Sequence, residues 1–113
     1  MHMDGRTCVI TGAGRGIGRG IAEHLGREGA NVVVNYRTSG ESAEAACETI
    51  RREGGDAIAS QADVTDIVEV EAMREEAHDT FGDVDVLVNN AGITKDTRFV
   101  KMSREDWDTV MDV

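Results

Sequence analysis

Eight residues near the N-terminus, TGAGRGIG at positions 11 to 18, carry the densest chemical signal in the chain. Four of the eight are glycine, and they follow the apolar run TCVI directly. A segment of this kind, leading from a strand into a helix, brings backbone N–H groups against a phosphate. The spacing matches neither of the two commonest patterns. G-x-G-x-x-G would need glycine where Ile17 stands, and the P-loop would need Lys where Arg19 follows Gly18. Gly12 allows the turn, Gly16 lets backbone approach a phosphate, and Gly18 permits close packing of helix on strand. The partial positive charge of the helix N-terminus adds to the site. A pyrophosphate is the ligand these features suit; a tight turn with no ligand would leave the glycines unexplained.

Elsewhere the reactive residue types are poorly placed for chemistry. His24 and His78 have no partner at metal-ligand spacing and read as solvated helix positions. Glu75, Glu76 and Asp79 form a polar helix face rather than an acid–base pair. Trp107 and Met111 stand four apart on the last helix, a spacing that suits packing. Cys8 and Cys47 fall on apolar segments and are expected to be buried thiols, without a disulfide or a metal.

The elements that position the glycine loop are legible in the apolar pattern. TCVIT is the first strand. Ile17, Ile21, Ala22 and Leu25 then recur at helical spacing, and Gly29 ends that helix. NVVVNY is a second strand, β-branched throughout, as in a strand covered on both faces. Ala43, Ala46, Cys47 and Ile50 mark a helix that stops at Gly54-Gly55, and AIASQAD is a weak third strand. Ile67, Val70, Met73, Ala77 and Phe81 mark a third helix, with Asp66 and Glu69 as its capping pair and Gly82 at its end. VDVLVNNAG is a fourth strand; a loop follows, then a helix over SREDWDTVMDV with Ser103 as N-cap. The order predicts an α/β fold: a Rossmann-type, doubly wound parallel sheet of four strands in the order 3-2-1-4, with helices on both faces.

The bulk numbers agree with one domain. The chain has 113 residues, 40% of them hydrophobic, enough for a real core. No segment approaches the length of a membrane span, and MHMDGRT does not read as a signal peptide, so the cytoplasm is expected. Met1 and His2 read as a cloning remnant, and residues 3–113 as the domain. Asp and Glu number 22 against 12 Lys and Arg, a formal charge of −10, so a nucleic-acid partner is not expected. Only Lys95 and Lys101 are lysines. An acidic, lysine-poor surface suits a salt-rich host; an ordinary acidic cytosolic protein is the alternative.

Residues 11 to 18 resemble the cofactor loop of the short-chain dehydrogenase/reductase family. Two further elements carry the resemblance: NNAG, Asn89 to Gly92, ending strand four, and Asp63-Val64 after strand three. It is closest to 3-oxoacyl-[acyl-carrier-protein] reductases and acetoacetyl-CoA reductases, whose NNAGIT-basic-Asp…Met…Trp segment resembles VDVLVNNAGITKDTRFVKMSREDWDTVMDV, residues 84 to 113. The resemblance implies cofactor binding by Gly12, Ala13, Gly14, Arg15, Gly16, Ile17 and Gly18. It also implies an adenine contact at Asp63 and Val64, and a contribution from Asn90, Ala91 and Gly92. The implied reaction is reduction of a 3-oxoacyl thioester, on coenzyme A or a carrier protein, by a nicotinamide cofactor.

Charge indicates which cofactor. Members that bind NAD place an acidic residue at the end of strand two to accept the ribose hydroxyls. Tyr36 stands there, with Arg37 after it, so no carboxylate repels a 2′-phosphate. Arg15 and Arg37 together suit a phosphate dianion through forked hydrogen bonds, and Thr38 and Ser39 offer hydroxyls. NADP(H) is the expected cofactor.

The family's catalytic Ser, Tyr-x-x-x-Lys pair and helix Asn have no counterpart in these residues; the only tyrosine, Tyr36, precedes Arg, Thr, Ser and Gly. The resemblance therefore covers the cofactor-binding half, and no catalytic residue is assigned. The chain alone is expected to be inactive, and a non-catalytic NADP(H)-binding module is the alternative reading. In the family fold a further strand flanks strand four, so VDVLVNN is expected to be an exposed edge guarded only by Asp83 and Asp85. With Trp107, Val110 and Met111 also lacking partners, a homo-oligomer is expected.

Overall fold

A computed structural model describes residues 4–14, 16–38 and 40–90 in full and the backbone of residues 98–101. The elements run β1 (Thr7–Ile10), α1 (Gly16–Arg27), β2 (Asn31–Tyr36), α2 (Gly40–Arg52), β3 (Asp56–Gln61), α3 (Ile67–Phe81), β4 (Val86–Asn89) and β5 (Arg98–Lys101). The strand order is β3-β2-β1-β4-β5. The first four strands are parallel, in the order read from the sequence; β1 pairs β2 from Thr7↔Asn31 to Ile10↔Val34 and β4 from Cys8↔Val86 to Ile10↔Val88.

The central strands bury both faces. Alternate residues of each strand serve opposite layers. Cys8, Ile10, Val32, Val34 and Val88 pack with Ala22, Ala46 and Ile50 from α1 and α2. Val9, Val33 and Leu87 pack with Val70, Met73 and Ala77 from α3. This two-sided burial is why NVVVNY is a continuous apolar run instead of an alternating one. β3 lies at one edge, pairs only with β2 among the described strands, and exposes Asp56 and Gln61 at its ends. That position accounts for its weak pattern.

Three expectations are corrected. The segment after β4 holds a fifth strand: β5 pairs antiparallel with β4 from Val86↔Lys101 to Asn89↔Arg98. β4 is therefore not an exposed edge, because its outer N–H and C=O groups find partners in β5. Asp83 and Asp85 do not guard an edge either. Asp85 Oδ2 accepts from Thr7 N at 2.9 Å, joining the starts of β1 and β4, and Asp83 pairs with His78 at 3.1 Å. The α3 cap differs in one half. Asp66 accepts from Val68 N at 2.9 Å and Glu69 N at 3.4 Å, and Gly82 ends the helix with its N–H on His78 O. Glu69, however, reaches back to Asp63 N at 3.1 Å, because Asp66 N is already donated to Asp63 O. The helix expected over residues 103–113 lies outside the described residues.

Candidate functional site

Parallel strands all deliver their C-terminal ends to one side of the sheet, and a crevice forms where connections leave in opposite directions. β1 and β4 are the neighbours at that point: β1 connects toward β2, and β4 lies on its other side. Gly12 follows β1, Arg37 and Thr38 follow β2, Asp63 and Val64 follow β3, and Asn90 follows β4.

The glycine loop is held from both flanks. Thr11 N donates to Val88 O at 3.0 Å, and the Thr11 hydroxyl accepts from Asn90 N at 2.8 Å. The hydroxyl proton serves Asn89 Oδ1 at 3.3 Å or the Val88 carbonyl at 3.4 Å. Asn90 Nδ2 donates to Gly12 O at 3.4 Å. From the other side, Asn35 Oδ1 accepts from Gly12 N at 3.1 Å, and Asn35 O accepts from Ala13 N at 2.8 Å. The same side chain donates to Ser60 O and Ala62 O, each at 3.2 Å. Asn35 is 2% exposed, so each of these bonds replaces water that cannot reach it.

This bracing presents the first turn of α1 to the crevice. Gly16 adopts a left-handed φ of 64°, open to glycine without strain, and no atom lies within 4 Å of where a Cβ would stand. Gly18 is tightly enclosed. A Cβ there would lie 2.5 Å from Gly12 O and would run into the Asn90 side-chain amide. First-turn N–H groups have no acceptors within their own helix, and no acidic residue lies in that turn of α1. Ile17 is 75% exposed beside these amides. An anion lying across the turn meets N–H groups and backbone, with no carboxylate from that turn to oppose it.

The far end of the crevice is built by the turns after β2 and β3. Arg37 Nη2 stands 3.6 Å from Asp63 Oδ2; the arginine is exposed, and the aspartate largely covered. Thr65 donates its hydroxyl to Asp63 Oδ1 at 2.6 Å and its amide to the same oxygen at 2.9 Å. These two bonds, with the Arg37 charge, hold the Asp63 carboxyl below the usual carboxylate range, against partial desolvation. Val64 is half-buried against the α3-side core, and Thr38 is exposed.

The structure thus brings together Gly12, Ala13 and Asn90 around the loop, and Arg37 with Asp63 at its far end. Gly14 is buried in the loop and Gly18 at its base. Arg15, Ser39, Ala91 and Gly92 lie outside the described residues, and with them the expected pairing of Arg15 with Arg37. Thr11 and Asn35 are the residues that sequence reasoning missed. The signal for Asn35 was a lone amide inside the run NVVVNY, since a polar side chain buried in a two-sided strand must have partners. Among the described residues no group of His, Cys, Asp and Glu could hold a metal, and no helix is long and apolar enough to cross a membrane.

The family model for short chain dehydrogenase matches residues 6–113. The 3-oxoacyl-[acyl-carrier-protein] reductase FabG of Staphylococcus aureus is 51% identical over 107 residues, covering 95% of this chain and 44% of the relative. Among solved structures, a Serratia marcescens short-chain dehydrogenase/reductase mutant matches with a TM-score of 0.77 and 32% identity, over 96% of this chain and 44% of that one. The angucycline C-6 ketoreductase LanV with bound NADP matches with a TM-score of 0.73 and 38% identity, over 80% of this chain and 38% of that one. The chain spans less than half the length of each of these relatives.

Proposed function

The chain belongs to the short-chain dehydrogenase family, and on that premise we propose that it is the cofactor-binding half of an NADPH-dependent reductase of 3-oxoacyl thioesters. The observation that carries the cofactor assignment is the end of β2, where Tyr36 and Arg37 stand in place of a carboxylate, with the Arg37 guanidinium exposed and 3.6 Å from the Asp63 carboxylate of the next turn. A ribose 2′-phosphate meets a guanidinium there, and a fork of N–H donors suits a dianion. Arg15, between Gly14 and Gly16 in the sequence, adds a second cation. The first turn of α1 would take the pyrophosphate, Asp63 and Val64 the adenine, and Asn90 the end of the crevice beside β4. A bound dinucleotide supplies hydride. This chain's residues bind and orient it, brace the loop through Thr11 and Asn35, and admit no competing carboxylate in the first turn of α1.

The similarity to a 3-oxoacyl-[acyl-carrier-protein] reductase supports the thioester as substrate class, on coenzyme A or on a carrier protein. Fluorescence titration with NADPH and NADH tests the cofactor assignment. Tighter NADPH is expected, with the preference reduced in Arg37→Ala and lost when Arg15 and Arg37 are both replaced by Ala; equal affinities or tighter NADH in the unaltered chain overturn it.

A further inference from the structure

The turn after β3 does more than border the crevice. It moors Arg37 at both ends. The backbone carbonyl of Arg37 accepts from Gln61 Nε2 at 3.3 Å, and the preceding carbonyl, Tyr36 O, accepts from Ala62 N at 3.0 Å. The guanidinium then faces Asp63 Oδ2. The carboxylate is itself fixed: Thr65 occupies Oδ1 with two hydrogen bonds, and Glu69 from α3 accepts from the Asp63 amide. With Oδ1 tied down on Thr65, Oδ2 lies 3.6 Å from Arg37 Nη2.

We propose that Asp63, locked by Thr65, is a positioning residue that aims Arg37 at the ribose 2′-phosphate and so sharpens the preference for NADPH over NADH. The inference rests on the cofactor reading above and adds to it the residues that set selectivity from outside the phosphate contact. A guanidinium has five N–H donors, more than its contact with Asp63 through Nη2 uses, and the exposed side chain has donors to offer a phosphate. The pair is long and its arginine exposed, so its worth lies in restricting where a flexible side chain points, and the loss of that restriction falls on the ligand that needs Arg37. NADH has no 2′-phosphate and is indifferent to it.

Thr65→Val tests this with the Asp63 charge kept and only the hydroxyl that anchors it removed; an adenine contact at Asp63 is common to both cofactors, so the ratio of the two Kd values is the readout, and Thr65 is exposed, so the fold tolerates the change. Kd values for NADPH and NADH are measured by fluorescence titration of the unaltered chain, Thr65→Val, Thr65→Ser, Arg37→Ala and the Thr65→Val/Arg37→Ala double variant. The preference for NADPH over NADH should fall about two- to five-fold in Thr65→Val, the scale of an exposed ion pair. Thr65→Ser should restore it, and Thr65→Val should add nothing once Arg37 is gone. Equal weakening of both cofactors, no weakening of either, or an effect that persists in the double variant overturns the positioning role. An undiminished NADPH preference in Arg37→Ala overturns instead the cofactor reading beneath it.

Discussion

Asn35 Oδ1 accepts the Gly12 amide at 3.1 Å, so the loop after the first strand is fastened by a side chain from the end of the second. The same amide group holds two carbonyls of the β3 end, Ser60 O and Ala62 O. One buried side chain therefore sets the spacing among three strand ends.

Asn35→Ala should destabilise the fold by about 1–3 kcal/mol, since it strands a loop N–H and two carbonyls away from water. Asn35→Asp keeps an acceptor for Gly12 but turns a carboxylate toward two carbonyl oxygens, which favours its protonated form. Urea unfolding at pH 7 and pH 5 should show the Asp variant regaining stability at the lower pH relative to the parent. A parent-like midpoint at pH 7 in both variants would remove Asn35 from this role.

Gly18→Ala places a methyl group against Gly12 O and the Asn90 amide. The expected cost is about 1–3 kcal/mol, as for overpacking elsewhere. Because the displaced atoms belong to the loop, NADPH affinity should fall as well. Gly20→Ala is the control, as a Cβ there meets nothing within 4 Å; it should leave binding unchanged.

The two thiols should be inert in the folded chain. Burial pushes Cys8 up to about 12 and Cys47 up to about 11, from an ordinary value of 9.0, and the nearby charges of Asp85 and Glu44 add to the effect. Iodoacetamide at pH 8 should modify neither until urea is added. The folded values are raised, so the unfolded chain sheds these protons first. The stability they contribute is complete below the ordinary thiol range and is lost as pH climbs from there toward 11 and 12. A Cys8→Ala/Cys47→Ala variant should show a shallower fall in urea midpoint between pH 8 and pH 10 than the parent.

These 113 residues, purified and mass-verified, should not reduce acetoacetyl-CoA with NADPH, because they hold no Tyr-x-x-x-Lys to protonate the carbonyl oxygen. Absorbance at the nicotinamide band reads this directly. Turnover at a rate ordinary for reductases, about 1 per second or faster, would show that another side chain supplies the proton.

Self-association is expected to run through the last segment, with Trp107, Val110 and Met111, because β5 covers the edge of β4. The charge of −10 opposes close approach in dilute buffer, so dimers should form as salt is raised. Sedimentation velocity with Trp107→Glu tests it; a parent that stays monomeric in molar salt counts against association.

The parallel core was readable because its signals repeat. The three inner parallel strands are short apolar runs and each helix returns its apolar residues every three or four positions, so Val33 and Met73 announce their burial independently of each other. The phosphate loop was readable because glycines mark backbone positions. What stayed hidden depends on pairs. RFVK carries no pattern longer than four residues, and only its fit against VLVN makes it a strand. Glu69 stood at the spacing for capping Asp66, but it meets Asp63 because the turn between them folds the Asp66 amide onto Asp63 O. Asp85 looked like an exposed edge charge until the register of β4 on β1 set it opposite Thr7 N.

The bond from Asn90 N to the Thr11 hydroxyl spans 79 positions of the chain. During synthesis from the N-terminus, Thr11 leaves the ribosome long before Asn90 exists. The β1-β2-β3 part can pair while α3 and β4 are still being made, and the contacts between neighbouring segments cost the least loop closure. The glycine loop lacks its second flank throughout that interval. Its completion is thus a late event of folding, timed by translation of the fourth strand, and a nascent chain halted before Asn90 carries every glycine of the loop without the lock that sets them.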